Sequence, residues 1–136
     1  MSSPPDHAMS AAEIAQSVAA RRISALEATE AALARIAQFD TLNSFTDITA
    51  ERAQATARAI DTAIAAGKQP GPLAGVPFAV KNLFDVKGLP TRAGSKINRD
   101  RPPAPRDATL IERMEAAGAV LVGALNMGEY AYDFTG

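Results

Sequence analysis

The apolar positions of this chain recur with helical spacing in three early segments and then condense into two continuous runs. That change of period predicts the elements. Ile14 and Val18 share one face of a segment opened by Ser10 and Glu13. This S-x-x-E pair can satisfy the orphaned amides of a helix start with its hydroxyl and carboxylate, so a helix is expected over 11–21. Ser24 and Glu27 repeat the pattern, and Leu26, Thr29, Leu33 and Ile36 follow at helical spacing to predict a second helix. Ala53, Ala57, Ile60 and Ile64 mark a third over 50–66, stopped by Gly67. Between the second and third helices, "LNSFTDIT" at 42–49 alternates, with Leu42, Ser44, Thr46 and Ile48 on one side and Phe45 on the other. It reads as a short strand.

The continuous runs predict buried strands. Residues 76–80, "VPFAV", are wholly apolar and rich in β-branched and aromatic side chains, as expected of a strand covered on both faces. Pro77 lacks an amide hydrogen and argues for an edge or a first pairing position. Residues 87–106 carry four prolines and little periodicity and are expected to form a long loop. Asp107 is placed as the cap of a fourth helix with Leu110 and Met114 inward and Gly118 at its end, and "AVLVGAL" follows as a second buried strand. Strand, helix and strand in that order predict a parallel pair with a right-handed crossover, so the fold class is α/β. Parallel sheets usually need more strands than are found here, which predicts an incomplete fold.

Composition narrows the function classes. Fourteen basic against fifteen acidic residues give a net charge of −1, which offers no electrostatic footprint for a nucleic-acid partner. The absence of cysteine removes disulfides, thiolate metal sites and cysteine nucleophiles together. The single histidine, His7, lies in a polar leader over 1–9 that is expected to be disordered, so no metal site is predicted. That leader lacks the basic and apolar regions of a signal peptide. The longest apolar run, 116–125, is interrupted by glycines and far shorter than the roughly 20 residues of a membrane span. The expectation is a soluble, cytoplasmic protein. A phosphate-binding loop at Gly67 and Lys68 fails twice, because Thr62 stands where its first glycine belongs and Gln69 where a hydroxyl should meet magnesium.

Candidate chemistry gathers at the strand ends, where open α/β sheets place their ligands. Lys81 follows the first apolar run directly, and Asn126 and Met127 follow the second. A lysine drawn into apolar surroundings loses preference for its charged form and can act as a base; one that snorkels to water does nothing. Asn126 could orient an amide and Met127 form an apolar wall, or both could serve turn and core. The loop 87–106 holds Lys87, Arg92, Lys96, Arg99, Arg101 and Arg106 against the lone acid Asp100. Of these, Arg92 and Arg99 are candidates for steering an anionic substrate, against the plainer reading of a solvated loop. Glu129 is read as a solvated or helix-start carboxylate, and the alternating Tyr130, Tyr132 and Phe134 as packing residues.

"GPLAGVPFAVKNLFDVKGLPT" at 71–91, "AGS" at 93–95 and "DATLIERMEAAGAVLVGALNM" at 107–127 together resemble the N-terminal part of the amidase signature family. The resemblance implies the corresponding fold, a mixed and largely parallel sheet covered by helices, with 10–136 as the N-terminal portion of one domain truncated at its C-terminus. It also implies hydrolysis of a C–N bond by a Ser-cisSer-Lys triad without metal or organic cofactor. The family's lysine falls on Lys81, which would take a proton, through a bridging serine, from a nucleophilic serine. Both serines lie downstream in the family, Ser95 belongs to a non-catalytic part of the pattern, and the chain alone is expected to be inactive.

Three positions depart from the pattern: Asn82 for a frequent aspartate, Arg92 for a frequent threonine and Gly128 for a common aspartate. "KNLFDV", "AGSKINR" and "LNMGEYAYDFTG" look closer to the 1-carboxybiuret hydrolase branch than to the glutaminase subunits of tRNA-dependent amidotransferases. The expected partners are a small amide or urea-type substrate and a second copy or small accessory subunit. The reading from another class is a non-catalytic assembly module, distinguished by whether the encoding DNA past Gly136 continues into a "GSSGG"-like segment.

Overall fold

A computed structural model describes residues 8–132; His7 and Phe134 lie outside the described residues. Helix α1 (Ala11–Ala19) and helix α2 (Ala25–Gln38) both open with the expected reciprocal caps. Glu13 N–H donates to Ser10 Oγ at 3.2 Å and Ser10 N–H to Glu13 Oε2 at 2.8 Å; Ser24 and Glu27 do the same at 2.9 and 2.8 Å. The first helix stops two residues sooner than its pattern suggests, because Arg21 turns left-handed and its guanidinium donates to the Ile64 carbonyl. Strand β1 (Phe45–Ile48) is short, and helix α3 (Ala50–Ala65) follows it. Strand β2 (Pro77–Lys81), helix α4 (Thr109–Ala116) and strand β3 (Val120–Leu125) complete the order.

The sheet runs β1-β3-β2, with β2 parallel and β1 antiparallel to the central β3. The parallel pairing expected of the strand-helix-strand order thus holds for β2 and β3, and the sheet is mixed. Side chains alternate across it. Val120 and Val122 join Val18, Ala25, Ala53, Ala57 and Ile64 under α1 to α3, while Leu121 and Val80 join Ile111 under α4. Only β3 is covered almost throughout; β2 is an edge strand whose Pro77, Phe78 and Ala79 are half-buried, which corrects the expectation of burial on both faces. Pro77 suits that edge. Gly123 explains the break in the "AVLVGAL" run: a Cβ there would lie 2.5 Å from the Asp47 carbonyl oxygen and 2.7 Å from the Phe45 ring.

Three further expectations need correcting. Ile111, not Leu110, is the buried anchor of α4; Leu110 is 44% exposed and Met114 half-buried. Asp107 does not cap that helix, whose N-cap is Ala108 with no side-chain hydrogen bond, because its carboxylate is engaged by Arg52 from α3 at 2.8 and 2.7 Å and by Lys87 N–H at 2.8 Å. Leu42 and Ile48 are exposed, whereas Phe45 packs on the α1 to α3 core. Tyr130 and Tyr132 are exposed rather than packed. The segment 87–106 is a loop, though an ordered one, with a Lys87–Ala104 bridge and a 3₁₀ turn over Lys96–Asn98.

Candidate active site

The ends of β2 and β3 lie side by side: Lys81 pairs with Leu125, and Asn82 N–H donates to the Leu125 carbonyl at 3.0 Å. The chain leaves the sheet at that point in two segments, and the loop after β2 returns to bind both. Asn82 is 3% exposed and accepts from two successive amides of the returning loop, Arg92 N–H on its Oδ1 at 2.7 Å and Ala93 N–H on its carbonyl at 2.8 Å. The "AGS" stretch then presses on the segment after β3. Gly94 sits at φ +69°, where a Cβ would fall 2.6 Å from the Met127 carbonyl oxygen and 2.8 Å from that of Gly128. Ser95 Oγ donates to Glu129 Oε1 at 2.6 Å, and Tyr130 N–H to the Ala93 carbonyl at 2.7 Å. Glu129 is exposed and opens the short 3₁₀ turn Glu129–Ala131, as its helix-start reading expects, and through Ser95 it also anchors the loop. The buried Asn98 ties the same two segments together, donating to the Arg92 carbonyl at 3.0 Å and to Tyr130 Oη at 2.9 Å.

These contacts frame a cleft of about 290 Å³. Asn126 and Met127 line it beside Thr46 and Asn82, and Arg92, Lys96 and Arg99 add three cations. Asn126 spends its carboxamide on the backbone, donating to the Asn43 carbonyl at 3.3 Å and accepting Met127 N–H at 3.0 Å. Met127 is buried. Arg92 faces Asp47 Oδ1 at 3.8 Å, and its Nε is shielded from solvent without a hydrogen-bond partner. Arg99 pairs loosely with Asp100 at 3.5 Å, both well exposed. Lys81 does not line the cleft: it stands exposed at the strand end, outside the ion pairs formed among the described residues. The described residues do not supply the apolar surroundings expected of it.

The arrangement can hold a small anionic or amide-bearing molecule by cations and backbone-fixed carboxamides. Among the described residues no three His, Cys, Asp or Glu side chains come together as metal ligands, and no helix is long and apolar enough to cross a membrane. Sequence reasoning placed Thr46 only on a strand, gave Asp47 no role at the site and treated Asn82 only as a departure from a pattern. A buried polar residue directly after an apolar strand was the available signal.

Residues 27–136 match the family model described as Amidase. The chain belongs to the amidase family. It is 56% identical over 128 residues to AtzE, the 1-carboxybiuret hydrolase subunit of Pseudomonas sp. (strain ADP), covering 93% of this chain and 28% of that protein. It is 52% identical over 120 residues to one of the subunits of the glutamyl-tRNA(Gln) amidotransferase of Anaeromyxobacter sp. (strain K), covering 88% and 24%. A solved structure described as a vestigial protein complex revealing the evolutionary origins of an s-triazine catabolic enzyme superposes with a TM-score of 0.91 at 55% identity, over 93% of this chain and 28% of that one. Native peptide amidase from Stenotrophomonas maltophilia gives 0.83 at 29% identity, over 94% and 26%. The chain thus spans about a quarter of the length of the relatives it matches.

Proposed function

We propose that this chain is the N-terminal part of an amidase-signature hydrolase that cleaves a C–N amide or urea-type bond through a Ser-cisSer-Lys triad, with Lys81 as its base. The substrate class is a small carboxylated urea derivative of the biuret type, and neither a metal nor an organic cofactor is called for. The observation that carries the reading is the place of Lys81, at the C-terminal end of β2 opposite Leu125, next to the residue that lines a cleft holding three cations. Identity to the carboxybiuret hydrolase subunit supports the substrate class.

The exposed Lys81 needs a cover to become a neutral amine, and the polypeptide that carries the two serines supplies it in the whole enzyme. The proton would then pass from the nucleophilic serine through the bridging serine to Lys81. The freed alkoxide would attack the carbonyl, and the C–N bond would break as that proton returns to the leaving amine, giving an acyl-enzyme that water then hydrolyses. Arg92 and Arg99 would hold or steer the substrate carboxylate. The complex described for the similar solved structure supports a partner in the form of a second copy or a small accessory chain.

The test uses a full-length enzyme carrying this segment, assayed on biuret-type substrates, simple amides and glutamine. Lys81→Ala is expected to lower kcat by about 10²- to 10⁴-fold, and an unimpaired variant overturns the mechanism. Arg92→Ala and Arg99→Ala should erode the preference for carboxylated over neutral amides; an unchanged preference removes their role. Glutamine as the best substrate would favour the amidotransferase reading. The 136-residue chain alone is expected to turn over none of them.

A further inference from the structure

Two of the three departures from the amidase pattern are bonded to each other. Arg92 N–H donates to Asn82 Oδ1, and the other side of the same carboxamide donates from Nδ2 to Thr46 Oγ1 at 2.6 Å and to Asp47 Oδ2 at 3.3 Å. Thr46 Oγ1 in turn donates to Asp47 Oδ2 at 3.0 Å, and Asp47 Oδ1 faces the Arg92 guanidinium at 3.8 Å. Arg92 is therefore tied to both members of an Asn82–Asp47 pair, its main chain by a hydrogen bond to Asn82 and its guanidinium by a looser ion pair with Asp47. The backbone of Asn82 meanwhile fixes the position directly after Lys81 through Leu125 and Ala93.

Position 82 accepts from an N–H on one side and gives a hydrogen bond to a carboxylate on the other, and between asparagine and aspartate only the carboxamide does both without taking up a proton. We propose that Asn82 and Asp47 form the positioning brace of this site, in which one amide and one carboxylate set the placement of Arg92 and of the strand end bearing Lys81. This rests on the roles given above to Lys81 and Arg92.

The test is Asn82→Asp alone and combined with Asp47→Asn in the full-length enzyme. The single change sets two carboxylates face to face, and one of them must take up a proton to restore the donor. The other charged groups around the pair are Arg92, with Lys96 and Arg99 further along the cleft.

Activity should fall by on the order of 10- to 100-fold near neutral pH, with the loss shrinking as the pH is lowered. Thermal stability should follow the same sign. A carboxyl whose folded pKa lies above its unfolded value favours the folded state as pH falls, so the deficit in Tm should be larger near pH 8 than near pH 5. The double exchange restores one amide and one carboxylate, so the pH-dependent part of both deficits should disappear, leaving only the smaller, pH-independent loss of the Arg92–Asp47 charge pair. Should the single variant fail to fold, the double one alone decides, since it must fold and work. A pH-independent deficit without rescue overturns the brace. Rescue of stability alongside an unimpaired Lys81→Ala would leave the brace standing and remove the amidase mechanism, so the two failures are distinguishable.

Discussion

Arg52 and Arg92 are both arginines facing carboxylates, and they are satisfied to very different degrees. Arg52, in the first turn of α3, clasps Asp107 with two bonds at 2.8 and 2.7 Å and Glu115 with two more at 3.1 and 2.8 Å, joining α3 to α4. Arg92 meets Asp47 through one contact of 3.8 Å and keeps a shielded, unpartnered Nε. The hydrogen bond from Arg52 is the main reason the Asp107 carboxyl lies below its usual value, with Lys87 N–H adding to it, and Asp107 in turn is the main reason the guanidinium lies above its own. The closed cluster is architecture. The open one, beside an exposed Lys81 at the strand ends, is where the protein leaves cationic capacity for something else.

The sharpest way to break this contrast is Arg52→Ala. It leaves two partly shielded carboxylates without their counter-charge, and both sit at the junction of two helices. A loss of about 2–3 kcal/mol is expected, reduced from the cost of breaking a fully buried pair because solvent reaches the cluster. Urea denaturation of the full-length enzyme measures it, and activity per folded molecule should hold. An unchanged urea midpoint would make Arg52 no more structural than Arg92.

Gly94→Ala probes the open region by geometry rather than charge. The added methyl would meet two backbone carbonyls at 2.6 and 2.8 Å, from a left-handed φ of +69°, so the loop must move away from the segment 127–128. The expected cost is about 1–3 kcal/mol, with KM rising because Arg92, Ser95 and Met127 shift together. A variant with wild-type stability and KM would show that the "AGS" contact does not shape the cleft.

Much of this architecture is written locally. The two serine caps, the face of α3 and the parallel β2–β3 pair follow from spacing alone, since each depends on neighbours within a few residues or on one crossover. What stayed hidden depends on distant partners. Asp107 looked like a helix cap because nothing near it reveals Arg52, 55 residues away. Leu110 and Ile111 are equally apolar, and only the direction of approach to the sheet decides between them. Lys81, Asn126 and Met127 were legible as strand-end residues and Arg92 as a loop cation, but the cleft also depends on Asn82, which meets Arg92 through a loop whose return no periodicity announces.

Acid gives a smaller, graded test. A depressed carboxyl adds stability above its unfolded pKa, near 4, and loses that contribution as pH falls through the folded value. Wild type should therefore lose its advantage over Arg52→Ala between about pH 5 and pH 2, by roughly 1 kcal/mol or less at this exposure. Two urea midpoints that stay parallel across that range would mean that Asp107 gains nothing from its arginine.

The smallest expected effect bears most directly on function. Lys81 is exposed and takes part in none of the ion pairs formed among the described residues, so Lys81→Ala should change stability by no more than about 0.5 kcal/mol. If the same variant also loses turnover, the lysine contributes to chemistry without contributing to the fold, the reverse of Arg52. A full-length enzyme has one way to blur this. Where the downstream polypeptide desolvates the amine, removing Lys81 relieves the cost of holding it neutral and out of water, and stability should rise rather than fall. A clear loss of stability is the one result that places Lys81 with Arg52 among the residues that hold the molecule together.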